Sequence, residues 1–273
     1  MWFTALILLD LWLAYLLISW LISLHLVAGA PDAIYWLGVP FLYYWGPRLP
    51  EWPRFRRFRF WNWVRRVYFR GTKVPMPVSQ NQVLYVAYPH GMYGESVSIA
   101  LLNSDAFADV LPVCSSVLFA IPILRELASL MGAVHANAKD MKAALEAGRS
   151  LLIFPEGMRG ALGAPPRLLL EKRTGYIALA KSARCPNPLV LAPLKVHHEK
   201  GPAYQQVCAH GAFQLWTLSW LRYPWPMIHW GQWGTFLPKR QRITFLVDNN
   251  VIPITAAASV QEIHAKLLKR LVL

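Results

Sequence analysis

Charge is scarce in this chain, and acidic charge scarcer still. Charged residues fill 15% of 273 positions, with 14 Asp and Glu against 28 Lys and Arg, a formal net charge of +14. Soluble domains carry roughly 25% charged residues, so the composition argues against both a disordered chain and an ordinary water-soluble enzyme. Cysteine is nearly absent too. Cys114, Cys185 and Cys208 stand far apart without a Cys-x-x-Cys, which speaks against a disulfide framework or a zinc site and fits a reducing compartment. The phosphate-cradling Gly-x-x-x-x-Gly-Lys and the dinucleotide fingerprint Gly-x-Gly-x-x-Gly are missing, so neither nucleotide hydrolysis nor dinucleotide chemistry has support. Gly-x-Ser-x-Gly is missing as well, which lowers a serine-hydrolase reading. There is no internal repeat and no low-complexity segment.

What the chain has in excess is apolar and aromatic surface: 55% hydrophobic residues, with 13 Trp among them. A basic balance of this size needs an anionic partner. Indole rings settle at headgroup depth, so a membrane surface fits that partner best. Residues 1–46 carry the strongest signal. From Trp2 to Gly29 only Thr4, Asp10, Ser19, Ser23 and His25 interrupt the apolar run. As a helix rising about 1.5 Å per residue, that run exceeds a hydrocarbon core of roughly 30 Å. A second apolar stretch, Ala33 to Trp45, is too short to span alone. One tilted helix, a helical hairpin, and a span with a re-entrant piece all fit. A cleaved signal peptide fits less well, because no Lys or Arg precedes the run and Pro31 follows directly.

Residues 47–73 form a basic and aromatic segment. Arg54, Arg56, Arg57, Arg59, Arg65, Arg66 and Arg70 alternate with Trp52, Phe55, Phe58, Phe60, Trp61, Trp63, Tyr68 and Phe69, and only Glu51 opposes the charge. Arginines beside rings also suit single-stranded nucleic acid. Directly after a membrane segment, a cytoplasmic band against anionic headgroups is the simpler expectation. Nucleic acid is therefore not expected as a partner, and the remaining domain, 74–273, is placed on the cytosolic side.

Within 74–273 short β-rich runs alternate with helical spacing. Val83–Tyr88, Leu151–Phe154, Leu189–Leu194 and Ile243–Val247 read as strands. Ala120–Met131, Asn137–Ala147, Thr174–Ser182 and Val260–Leu271 read as helices, the last with one apolar face. The expectation is an α/β fold, a mixed sheet flanked by helices.

Two stretches carry chemistry. Tyr88-Pro89-His90-Gly91-Met92-Tyr93-Gly94-Glu95 follows a buried strand, where open α/β sheets place their ligands. A histidine there has two readings: a structural side chain, or, near helix N-terminal N–H groups, an imidazole that stays neutral as a general base must, with Gly91 supplying the turn that brings Glu95 to the other ring nitrogen. The second stretch is Phe154-Pro155-Glu156-Gly157-Met158-Arg159. Its Glu156 either accepts a hydrogen bond from a hydroxyl or fixes the turn, and Arg159 is placed to hold an anion. Gly91 and Gly157 are both sources of backbone N–H groups for an oxyanion. Metal binding at His197-His198-Glu199 is not expected, since adjacent strand residues point to opposite faces. His210-Gly211 repeats the pair without a suitably spaced acid.

Together the two stretches resemble the lysophospholipid acyltransferase superfamily, whose blocks are His-x-x-x-x-Asp and Phe-Pro-Glu-Gly. The flanking sequence looks most like the type 2 diacylglycerol acyltransferases and their smaller relatives. Tyr-Pro-His-Gly parallels their His-Pro-His-Gly, with further matches at Pro122 to Glu126, Lys172 to Tyr176, Leu191 to Leu194, Arg222 to Met227 and Ile252 to Ile254. Glu95 departs from the usual Asp by one methylene. In the phospholipid branch an Arg in a Gly-x-x-Phe-x-x-Arg block grips the acceptor's phosphate, whereas the comparable stretch here, Gly132 to Asn137, has none.

The resemblance implies a membrane-bound O-acyltransferase with acyl-CoA as co-substrate, no bound cofactor and no metal. Its acceptor would be a glycerolipid or other lipid alcohol, diacylglycerol foremost, with a lysophospholipid or glycerol phosphate, or a catalytically silent lipid binder, as alternatives. His90 and Glu95 are the implied catalytic pair, and Gly91, Phe154, Pro155, Glu156, Gly157, Arg159, Lys172 and Arg173 the implied substrate contacts, with Arg167 another candidate for the CoA phosphates. The aromatic stretch Phe213 to Phe236 is expected either at a lipid-facing interface or in the core. An endoplasmic reticulum location would follow in a eukaryote, and homo-oligomers stay open.

Overall fold

A computed structural model describes residues 49–78, 82–89, 97, 104–120, 124–161, 170–199, 205–206, 212–221, 229–230, 232 and 238–272. The expected membrane segment, 1–46, lies outside them. Among the described residues no helix is long and apolar enough to cross a membrane.

In chain order the elements are α1 (Pro53–Arg56), α2 (Arg59–Tyr68), β1 (Gln82–Tyr88), β2 (Val110–Cys114), α3 (Leu124–Leu130), β3 (Val134–His135), α4 (Ala138–Glu146), β4 (Ser150–Ile153), α5 (Gly157–Ala161), α6 (Gly175–Ser182), β5 (Leu189–His198), β6 (Gln205–Gln206), α7 (Ala212–Leu221), β7 (His229–Trp230), β8 (Ile243–Val247), β9 (Ile252–Pro253) and α8 (Val260–Val272). The main sheet runs β3-β2-β4-β1-β5-β8, and β9 also pairs with β5. From β3 to β5 every neighbour is parallel, while β8 and β9 join antiparallel. The expected mixed sheet flanked by helices is therefore what the chain forms.

The sheet is buried on both faces, as parallel strands require. Along β1, Val83, Tyr85 and Ala87 point into one core with Leu152, Ala192, Leu194 and Phe245. Tyr68, Phe69, Val74, Val78, Val97 and Phe107 pack there too. Leu84 and Val86 point to the opposite core, filled by Met141 and Leu145 of α4, Ile177 and Ala180 of α6, and Ile263, Leu267 and Leu271 of α8. Each such side chain removed from water contributes about 1.5–3 kcal/mol. Polar ties fix the register: Ser150 Oγ accepts from Val83 N at 2.9 Å, and Gln82 Nε2 donates to Leu145 O at 2.6 Å.

Two prolines sit inside strands without costing a ladder bond. Pro112 of β2 is in register with Leu152, but β3 pairs only from Val113 onward. Pro193 falls between the β9 pairs at Val190 and Leu191 and the β8 pairs that begin at Leu194. In each case the missing N–H faces a gap.

The basic segment differs in one respect from a band held only by headgroups. Arg56 is 2% exposed. Its Nε donates to Met131 O at 2.8 Å, and its Nη1 to Ala108 O at 2.7 Å and Val110 O at 2.8 Å. Glu51 lies 3.6 Å from Nη2 and receives a two-pronged bond from Arg149, both arms 3.0 Å. Burial pushes the Arg56 guanidinium below its ordinary value and Glu51 opposes the shift. Such charges stay in a protein interior only when paired and hydrogen-bonded. Gly132 backs the cluster: its φ is +67°, and a Cβ there would fall 2.7 Å from Glu51 Cδ.

Candidate active site

The strand order brings the starting points of the two chemical stretches, Tyr88 and Phe154, to one sheet edge. β1 and β4 are neighbours and parallel, with Leu84, Tyr85 and Val86 opposite Leu151, Leu152 and Ile153. Their carboxyl ends therefore reach the same edge of the sheet, where ligands of open α/β sheets bind. Phe154 leaves β4 directly, and Tyr88-Pro89 leaves β1. His90, Gly91 and Glu95 lie outside the described residues, as does Arg167. His90 follows Tyr88 by two positions, a chain reach of at most about 7 Å.

The Pro-Glu-Gly corner is built from the inside. Phe154 is half-buried, Pro155 is buried, and Gly157 N donates back to Phe154 O at 3.1 Å. That bond commits the Gly157 N–H to the turn itself. Gly157 has φ +53°, left-handed backbone that suits glycine, and a Cβ there would meet Arg173 Nη1 at 2.6 Å. Glu156 is 1% exposed and folds over the start of α5, its Oε2 2.8 Å from where a Cβ on Gly160 would stand. Gly157 is thus favoured by its backbone conformation and Gly160 by the close approach of Glu156.

Arg173 closes the corner from the far side of the chain. Its Nη1 donates to Pro155 O at 3.0 Å. Burial pushes the guanidinium below its ordinary value, the like charge of Arg159 pushes the same way, and the Glu156 carboxylate opposes both. An Arg keeps its charge under any such shift. Among the described residues, two guanidiniums and one buried carboxylate therefore share the β4 edge. Arg159 is exposed, and so is Lys172, which makes no contact with the corner among those described.

Other residues raised by the sequence sit on other elements. Arg125, within Pro122 to Glu126, is 3% exposed and lies 3.4 Å from Glu126. His197 and His198 occupy successive positions of β5, and His198 Nδ1 lies 3.3 Å from Gln241 Nε2. His210 and Gly211 are outside the described residues. On α7, Trp216 and Trp220 are 54% and 77% exposed and stack with centroids 5.9 Å apart, so these two rings are not core. His135, in the stretch that lacks the expected Arg, is buried and stacks on Phe119 with centroids 3.6 Å apart. Sequence reasoning passed over His135 and Tyr176, whose hydroxyl is buried without a hydrogen-bond partner. Only the position of Tyr176 inside Lys172 to Tyr176 signalled it.

No protein-family profile and no curated protein matches the chain. Among solved structures, it is similar to the 1-acyl-sn-glycerophosphate acyltransferase PlsC from Thermotoga maritima. The two are 14% identical with a TM-score of 0.44, over 80% of this chain and 74% of that one.

Proposed function

We propose that this protein is a membrane-associated lipid O-acyltransferase using acyl-CoA. The observation that supports the reading is the parallel pairing of β1 with β4, so that the strands from which the two motifs follow in sequence end at one sheet edge. His90 takes the proton of the acceptor hydroxyl as that oxygen attacks the thioester carbonyl. Glu95 orients the imidazole and balances the imidazolium. The carbon–sulfur bond then breaks, the imidazolium returns the proton to the leaving CoA thiolate, and an ester and free CoA result. Base assistance of this kind is worth about 10²–10⁴-fold. Glu156, turned inward, holds the corner, while Arg159, Arg173 and Lys172 face phosphate groups. Catalysis takes place on the cytosolic side, at the endoplasmic reticulum if the source is eukaryotic.

The acceptor has two readings. The missing Arg between Gly132 and Asn137 favours a neutral hydroxyl such as that of diacylglycerol. The pair Arg159 and Arg173 favours a phosphorylated acceptor, a lysophospholipid or glycerol phosphate, because the edge already holds cations that a phosphate would need once desolvated. Side-by-side assays on both acceptors decide. With acyl-CoA saturating, Arg159→Gln raises KM for a phosphorylated acceptor more than for a neutral one if the second reading holds. For the chemistry itself, His90→Ala in the full-length protein is expected to lower kcat about 10²–10⁴-fold on either acceptor. A folded His90→Ala protein with undiminished transfer would end the proposal.

A further inference from the structure

Helix α8 reaches the Pro-Glu-Gly corner through one histidine. His264 of α8 is 7% exposed, and its Nε2 lies 3.0 Å from Leu170 O. A carbonyl oxygen only accepts, so Nε2 carries the proton and His264 is the donor. The same oxygen accepts from Arg173 N at 3.2 Å, which closes the turn that carries Arg173. Leu170 is 0% exposed, so bulk water does not replace a lost donor there.

From that turn the Arg173 side chain runs to Pro155 O, which accepts from Nη1 at 3.0 Å. It lies against the backbone of the corner, since a Cβ on Gly157 would meet Nη1 at 2.6 Å. A continuous line of hydrogen bonds therefore joins α8 to the carboxyl end of β4 by way of Leu170 and Arg173.

Helix α8 is itself held at its start. Ser259 N donates to Glu262 Oε2 at 2.8 Å, and Glu262 N to Ser259 Oγ at 3.1 Å, a reciprocal cap that fixes the first turn. Just before it, Lys181 of α6 donates to Ala256 O and Ala258 O. Ile263 and Leu267 pack in the core with Ile177 of α6. His264 thus approaches Leu170 from a fixed base.

We infer that His264 is a positioning residue for the reaction: by holding Leu170 O it sets where Arg173 stands, and through Arg173 the geometry of the Pro-Glu-Gly corner. The inference rests on the reading of that corner as part of the acyl-transfer site. A displacement of about 0.6 Å takes a 3.0 Å bond out of hydrogen-bond range. Misplacement by about 1 Å, caused far from the chemistry, can cost an enzyme about 10²-fold in rate. An ordinary tie between a helix and a loop would stabilise the fold and stop there. Here the acceptor oxygen is shared with the residue that grips the corner.

The test joins amide exchange to kinetics in the full-length protein. His264→Leu removes the donor, His264→Gln keeps an N–H at similar reach, and His264→Leu is also combined with Arg173→Leu. In His264→Leu, exchange across residues 154–161 is expected to speed up at least about threefold while β8 keeps its rate. The kcat/KM for acyl transfer should fall at least about tenfold. His264→Gln should bring both back to within about twofold of the unsubstituted protein, and in the Arg173→Leu background His264→Leu should add less than about twofold. His264→Asn, whose amide is one methylene short, takes the place of the leucine variant if that one does not fold, with the same expectations. Unchanged exchange at 154–161, or a full effect of His264→Leu without Arg173, would overturn the inference, as would faster exchange with undiminished transfer. An unsubstituted protein that transfers no acyl group to any acceptor would instead end the functional reading, and the exchange arm would still decide the coupling.

Discussion

Tyr176 shows how a single atom registers its surroundings. The side chain packs on the core between the sheet and α4, α6 and α8, and among the described residues its hydroxyl has no hydrogen-bond partner. Burial pushes this phenol well above its ordinary value, and Tyr85 is raised for the same reason. Such a group is neutral in both states below the unfolded value near 10 and ionises first in the unfolded chain above it, so stability is lost as pH rises past about 10. Tyr176→Phe is expected to raise stability by about 1 kcal/mol at neutral pH, since a buried unpaired hydroxyl is removed. The alkaline loss should also shrink, and unfolding midpoints near neutral pH and above about 10 would show both. An unchanged alkaline fall would mean that the phenol reaches water. Arg173 and Glu156 were legible in the sequence as motif members. The bond from Arg173 to Pro155 O was not, because nothing local to Lys172-Arg173 says which carbonyl lies across the fold.

At the scale of elements, local rules carried most of the reading. Asn137 stands before the apolar period of α4, and its side chain accepts from Asp140 N at 2.8 Å. Asn137→Ala should cost about 1 kcal/mol, read as a lower unfolding midpoint with faster amide exchange in the first turn of α4. If exchange there stays the same, the cap is not holding that turn. The helix expected over Asn137–Ala147 thus shortens to its caps, and Ile243–Val247 appears with the expected bounds. Strand β2 escaped notice because Pro112 sits inside it, and a proline reads as a strand breaker until its missing neighbour is known. Helices α1 and α2 escaped for another reason. The apolar residues of α2 do follow a helical period, but its rings and arginines stand out first by composition, and α1 is a single turn, too short to show a period.

For the whole molecule, the deciding contact is between the basic segment and the sheet domain. Arg56→Met removes the guanidinium that satisfies Met131 O, Ala108 O and Val110 O, and leaves Glu51 with Arg149 alone. The expected loss is about 3 kcal/mol or more, the usual consequence of removing one partner from a buried charged network. The exposed Arg66→Gln should move the unfolding midpoint little. Thermal unfolding of the two full-length variants in the same detergent compares them, and equal midpoints would show that the clamp carries no load. Among the arginines of 47–73, the sequence offers no means of telling Arg56 from Arg57, although one is buried and the other faces solvent.

By itself the sequence determined the class of the fold, the apolar character of residues 1–46, and the Pro-Glu-Gly turn after β4. Periodic apolar patterns and turn residues act over a few neighbours, so they can be read in order along the chain. Tertiary structure decided that β4 lies between β2 and β1, out of chain order, and that an arginine of a surface-like segment is an interior strut. Pairing of distant strands and burial of a charge depend on which remote groups arrive to complete the hydrogen bonds, and only the folded chain brings those partners together.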